Sequence, residues 1–143
     1  MLLNIKSFVL EKKVLVFGNI LLKEDSLPLR IMPALQKKIP WWNFVVFDPN
    51  EQLEKEGKDL VILDTVLGIG KVTVFSEKDL EHLEMEKRYS AHDFDLGFSL
   101  RFLLKLGKIR SVKIIGVPSR YPEKKAVDEI ARLLENLQIQ SGD

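Results

Sequence analysis

Asp64 closes an aliphatic run, Leu60-Val61-Ile62-Leu63. A carboxylate at the end of a buried strand loses hydration unless something pairs with it. It reads either as a turn-initiating Asp bonded to a nearby backbone N–H or as a group kept there for its charge. Glu24-Asp25 follows the turn-forming pair Gly18-Asn19 and the segment Ile20-Leu21-Leu22-Lys23. Two acids there suit the positive end of a helix dipole; equally, one of them could serve a site. His92 lies beside Asp93 and Asp95, in what spacing predicts is the first turn of a helix. The dipole there favours the neutral imidazole, the form that ligates metals, and the alternative is a surface histidine in a cap. The other histidine, His82, falls in a run of charges and is assigned to a solvated face.

Each signal is weak alone, and their coincidence is stronger. Asp25 after the first strand, Asp64 at the end of a central strand and His92 before a helix would meet on one rim of a sheet. Two carboxylates and an imidazole form a borderline-hard site suited to nickel or zinc, with positions open for substrate. The chain has no cysteine. That excludes disulfides, zinc fingers, thiolate iron–sulfur sites and a cysteine nucleophile. No serine has a convincing histidine partner in the sequence, so a covalent acyl-enzyme is not expected.

The elements that would position these residues follow from hydrophobic spacing. Val14-Leu15-Val16-Phe17, Leu60 to Leu63 and Val112 to Val117, the last interrupted by Lys113, are apolar runs, the pattern of interior strands buried on both faces. Phe44-Val45-Val46-Phe47 is a further strand, and Val72, Val74 and Phe75 make another after the Gly68-Ile69-Gly70 turn. Leu27, Ile31, Ala34 and Leu35 recur at helical spacing, with Asp25 or Ser26 as cap and Pro28 in the first turn. Pro33 should kink or shorten that helix. A short helix is predicted from about Glu51 to Lys55, ending at Gly57. The segment Glu77 to Arg88 is polar and expected to be exposed. Ser90-Ala91-His92-Asp93 has the form of a capping box for a helix that buries Leu96, Leu100, Leu103 and Leu104 and ends at Gly107. A last helix opens at Pro122, with Val127, Ile130, Ala131, Leu134 and Leu137 on one face. Alternating strands and helices predict an α/β domain, with a mostly parallel twisted sheet covered by helices on both faces. In such sheets, sites gather at the carboxyl ends of the strands.

The bulk properties agree. A chain of 143 residues, 45% hydrophobic and 30% charged, has the size of one domain, taken here as residues 1–143, and enough apolar content for a real core. The formal charge of +1 provides no global field to attract nucleic acid or anionic lipid. The start, MLLNIKSFV, lacks the charged and then apolar pattern of a secretory signal, and no apolar run approaches the roughly 18 residues of a membrane span. A cytoplasmic protein that binds no nucleic acid and does not insert into membranes is the expectation.

The stretch Val16 to Asp25, VFGNILLKED, resembles the GNxLxxDD segment of the hydrogenase maturation proteases, which trim the C-terminus of the large subunit of [NiFe] hydrogenases. Leu60 to Asp64 is similar to that family's second motif, Ser90 to Gly97 to its third, and Ile114-Ile115-Gly116-Val117 to its late strand. The resemblance implies a three-layer α/β sandwich and an aspartyl-type endopeptidase specific for the nickel-loaded precursor. It also implies that Asp25, Asp64 and His92 contact the metal, which arrives in the substrate. The chain departs from the family pattern where Ser26-Leu27-Pro28 replaces the usual glycines, and where Asp48-Pro49-Asn50-Glu51 follows the second strand. On that ground the alternative is a maturation protein that checks nickel and binds the precursor without cutting it. A peptidyl-tRNA hydrolase-like enzyme is a weaker alternative. It too has a Gly-Asn turn after its first strand, but a basic groove for RNA is not evident.

Overall fold

A computed structural model describes residues 12–48, 50–82 and 95–141. The sheet contains β1 (Lys13–Val16), β2 (Asn43–Val46), β3 (Asp59–Thr65), β4 (Thr73–Ser76) and β5 (Ser111–Val117), in the order β2-β1-β3-β5-β4. β1 runs parallel to both β2 and β3, β3 runs parallel to β5, and β4 alone is antiparallel. The three apolar runs predicted as interior strands, β1, β3 and β5, hold the interior positions.

Side chains alternate across each strand, so each strand feeds two cores. Val14, Val16, Leu63, Ile115 and Val117 face one side, where they pack against α1 (Leu27–Lys38) and α3 (Glu123–Ser141) through Leu27, Ile31, Leu35, Ile130 and Leu134. Leu15, Phe17, Leu60, Ile62, Val112 and Ile114 face the other side, under Leu96, Leu100 and Leu103 of α2 (Leu96–Lys105). The result is the three-layer α/β sandwich. No described helix is long and apolar enough to cross a membrane.

Three local expectations are adjusted. Pro33 does not shorten α1, which continues to Lys38. Pro33 is exposed, so the Leu29 carbonyl that loses its helical partner lies on the solvent-facing side, where water can replace the bond. The predicted helix after Asp48 is a single 3₁₀ turn, Leu53–Glu56, ended by Gly57. The helix predicted from about His92 begins at Leu96, because Asp95 takes the cap: its carboxylate accepts from the Phe98 N–H at 3.0 Å. The predicted capping box, Ser90 to Asp93, lies outside the described residues. The other end of α2 is as expected. Gly107 has φ +73°, the Lys108 N–H returns to the Leu103 carbonyl, and the Gly107 N–H returns to that of Leu104.

Exposed ion pairs tie neighbouring elements together within the layers. Arg30 pairs with Glu123, and Lys38 with Asp128 at 2.6 Å, linking α1 to α3. At the start of β3, Arg110 Nε donates to Asp59 at 3.1 Å, its Nη2 donates to the other carboxylate oxygen, and Ser111 Oγ donates at 2.7 Å. The Arg110 hydrogen bonds, then that of Ser111, hold the Asp59 acid below its ordinary value. A carboxylate with a lowered folded-state pKa stabilises above its ordinary pKa, and the contribution is lost as pH falls through the lowered value. Water screens this exposed pair, so Asp59→Asn is expected to cost no more than about 1 kcal/mol at neutral pH. Urea unfolding should show the difference vanish in acid, where the wild-type carboxylate is itself protonated. An equal loss at both pH values would assign the effect to packing instead.

Candidate functional site

The carboxyl rim of the sheet is built around the junction of β1 and β3. Val16 is in register with Leu63, and the Phe17 N–H donates to the Leu63 carbonyl at 2.9 Å. One residue further, Phe17 stands beside Asp64. The chain then turns at Gly18 and closes a tight loop. The Asn19 N–H donates to the Asp25 carbonyl at 2.9 Å, and the Asn19 carbonyl accepts from Leu22 N–H at 3.1 Å. The Asn19 side-chain oxygen accepts from Leu21 N–H at 3.0 Å. All three polar groups of Asn19 named here shape the loop, which gives the Gly18-Asn19 pair a definite task. Ile20 and Leu21 are left exposed at its tip.

The loop ends in a 3₁₀ turn, Lys23–Asp25, that treats its two acids differently. Asp25 is 6% exposed. Glu24 is half-buried and lies 4.0 Å from the exposed guanidinium of Arg120, on the loop after β5. Asp25 is therefore the inward acid of the pair. Ser26 closes the turn, its hydroxyl donating to the Lys23 carbonyl at 3.1 Å and accepting from Arg30 Nε at 3.0 Å.

Asp64 is 7% exposed and lies in the penultimate position of β3, between β1 and β5, in register with Gly116. By strand alternation it shares the face of Leu60 and Ile62, the face covered by α2. One carboxylate oxygen accepts from the Thr65 backbone N–H at 2.8 Å. The turn-type hydrogen bond foreseen for an Asp in this position is thus present, and it occupies one face of one oxygen. A carboxylate can accept several hydrogen bonds at once.

Asp25 and Asp64 thus belong to the same rim, on the exit of one strand and the end of its neighbour. His92 lies outside the described residues. His82 is exposed at the end of a 3₁₀ turn, Glu77–His82, as a solvated-face residue should be. Among the described residues no three His, Cys, Asp or Glu side chains gather as metal ligands would. Sequence reasoning passed over Arg120. It is an isolated cation in a loop, and only the fold sets it beside Glu24.

A family model described as "HycI: Hydrogenase maturation protease" matches residues 51–135. The matched span includes Asp64 and His92 and leaves out Asp25. Among solved structures, the chain is similar to the hydrogenase maturating endopeptidase HybD from E. coli, with a TM-score of 0.63 and 16% identity over 92% of this chain and 94% of that one. It is also similar to a hydrogenase 3 maturation protease, with a TM-score of 0.52 and 22% identity over 86% of this chain and 88% of that one. At these identities the structural likeness speaks for the fold. No curated protein sequence matches the chain.

Proposed function

The chain belongs to the hydrogenase maturation protease family, and from that premise we propose that it cuts one peptide bond near the C-terminus of a nickel-loaded [NiFe] hydrogenase large-subunit precursor. The family match supports a peptide-bond hydrolase. The observation that supports the nickel-facing part of the reading is the burial of Asp25 and Asp64, each over nine-tenths, Asp25 in the turn that follows β1 and Asp64 near the end of β3. A cation arriving in the substrate would interact favourably with two carboxylates held out of bulk water.

In this reading nickel belongs to the substrate. Asp25, Asp64 and His92 approach it from one side while the precursor holds it from the other. Anchoring the metal fixes the scissile segment against the rim, a proximity effect. One of the two carboxylates acts as general base. It takes a proton from the attacking water as the carbonyl carbon is hydrated; the C–N bond then breaks, and the proton passes to the departing amine. In this reading the enzyme works in the cytoplasm.

Intact-mass analysis of precursor incubated with the purified chain tests this. Nickel-loaded precursor is expected to lose a C-terminal peptide, and nickel-free precursor to stay whole. Binding without mass loss would favour a non-proteolytic maturation protein. Equal cutting of both precursors would remove nickel from the recognition step.

A further inference from the structure

The outward face of α2 carries an apolar stripe that the site does not use. Phe98 is 57% exposed, Phe102 51%, and Leu106, just past the helix end, 53%. Residues four apart lie on one helical face, and the rings of Phe98 and Phe102 stack, with centroids 6.0 Å apart and planes 12° from parallel. Leu96, Leu100 and Leu103 serve the core from the opposite face. Arg101 and Lys105 are exposed, and helical spacing sets them beside the stripe. The segment Leu96–Lys105 contains no acid. α2 ends shortly before β5 begins at Ser111, so its C-terminus lies at the amino edge of the sheet and its N-terminus toward the carboxyl rim. The stripe therefore leads away from the Asp25–Asp64 rim along the flank of the molecule.

We propose that this stripe docks an acidic, apolar-faced helix of the precursor, holding the precursor's body against α2 while its C-terminal segment reaches the rim. The proposal rests on the protease reading for the identity of the partner. Charge selects the occupant. Two cations edging an apolar stripe with no acid among them complement an acidic partner. A second copy of this chain would set Arg101 and Lys105 against their own kind. From Phe98 to Leu106 the stripe is roughly 12 Å long at the α-helical rise, a length that two to three turns of a partner helix would cover.

Binding of nickel-loaded precursor to the full chain is measured by fluorescence anisotropy, with processing followed in parallel by intact mass. The double variant Phe98→Ser/Phe102→Ser is expected to weaken binding about tenfold or more, and to raise KM while kcat stays within about twofold. Arg101→Glu/Lys105→Glu is expected to weaken binding at low salt and to flatten its salt dependence. Circular dichroism should show both variants folded. Wild-type-like binding by either variant overturns the proposal, as does a wild-type chain that does not bind the precursor. Two other results also overturn it. One is stripe-dependent binding to phosphatidylcholine–phosphatidylglycerol vesicles in place of precursor. The other is a dimer, seen by light scattering, that Phe98→Ser/Phe102→Ser abolishes. Stripe-dependent binding without cleavage would leave docking standing and remove the protease reading. Cleavage with unchanged KM in both variants would do the reverse.

Discussion

Asp64→Asn and Asp25→Asn are each expected to slow precursor processing by about two to four orders of magnitude, the range for removing a positioned acid–base group. Both substitutions keep side-chain volume, and Asn at position 64 still offers an oxygen to the Thr65 N–H that the carboxylate now accepts at 2.8 Å. Neither should lower the melting temperature much, because removing a buried charge also removes its desolvation cost. Glu24→Gln provides the contrast. Glu24 is half-buried and faces Arg120 across 4.0 Å, while Asp25 is buried beside it. It should process precursor at close to the wild-type rate. If Glu24→Gln is dead and Asp25→Asn active, the acid that serves the site has been assigned one residue too late. If all three variants stay active, the acids at 24 and 25 are a helix start and Asp64 is a turn residue. Single-turnover rates with nickel-loaded precursor, read beside thermal melts, separate these outcomes.

Much of the fold was legible because burial on both faces leaves a plain mark. β1, β3 and β5 are built on apolar runs with little polar alternation, the pattern that suits an interior strand under two helical layers. Composition does not reveal strand order, however. Phe44 to Phe47 is as apolar as β1, yet β2 lies at an edge and Val46 faces solvent. The strand also starts one residue early, at Asn43, because its pairing with β1 begins at Lys13. Proline in α1 misled for a local reason: its cost depends on which side of the helix loses the hydrogen bond, and that side is known only once packing is known. The start of α2 was misplaced because two capping signals compete within a few residues, Ser90-x-x-Asp93 and Asp95. Asp95 caps the helix that is described.

The site was partly legible for a different reason. Asp64 could be singled out because an acid after four aliphatic residues is chemically out of place. Asp25 could not be told from Glu24 by residue type, and the difference between them arises from the loop. That loop depends on Asn19 bonding in three directions at once and on Gly18 letting two backbone segments meet. Gly-Asn is an ordinary turn pair, so its sequence carries no sign of this load. His92 lies outside the described residues, so the structure does not bear on the helix-dipole argument for it.

Gly18→Ala puts that load to the test. Gly18 has φ +157°, and a Cβ there would lie 2.8 Å from the Asp25 carbonyl oxygen and 3.3 Å from Leu29 Cγ. The first neighbour is backbone and has little freedom to give way. Overpacking of this kind costs about 1–3 kcal/mol, and holding a non-glycine residue at such a φ costs about as much again. The chain can escape only by moving the Asn19–Asp25 loop, because Phe17 is pinned to Leu63 and Leu29 is built into α1. The displaced carbonyl belongs to Asp25 itself, so strain relieved in the loop is paid in the position of the acid. Gly18→Ala should therefore lower stability in urea and also cut processing by about a hundredfold, the cost of roughly 1 Å of misplacement at a reacting centre. The two losses should come apart on cooling, with the chain fully folded and processing still slow. Recovery of full activity at low temperature would mean that Gly18 serves stability alone, and that the position of Asp25 does not govern the reaction.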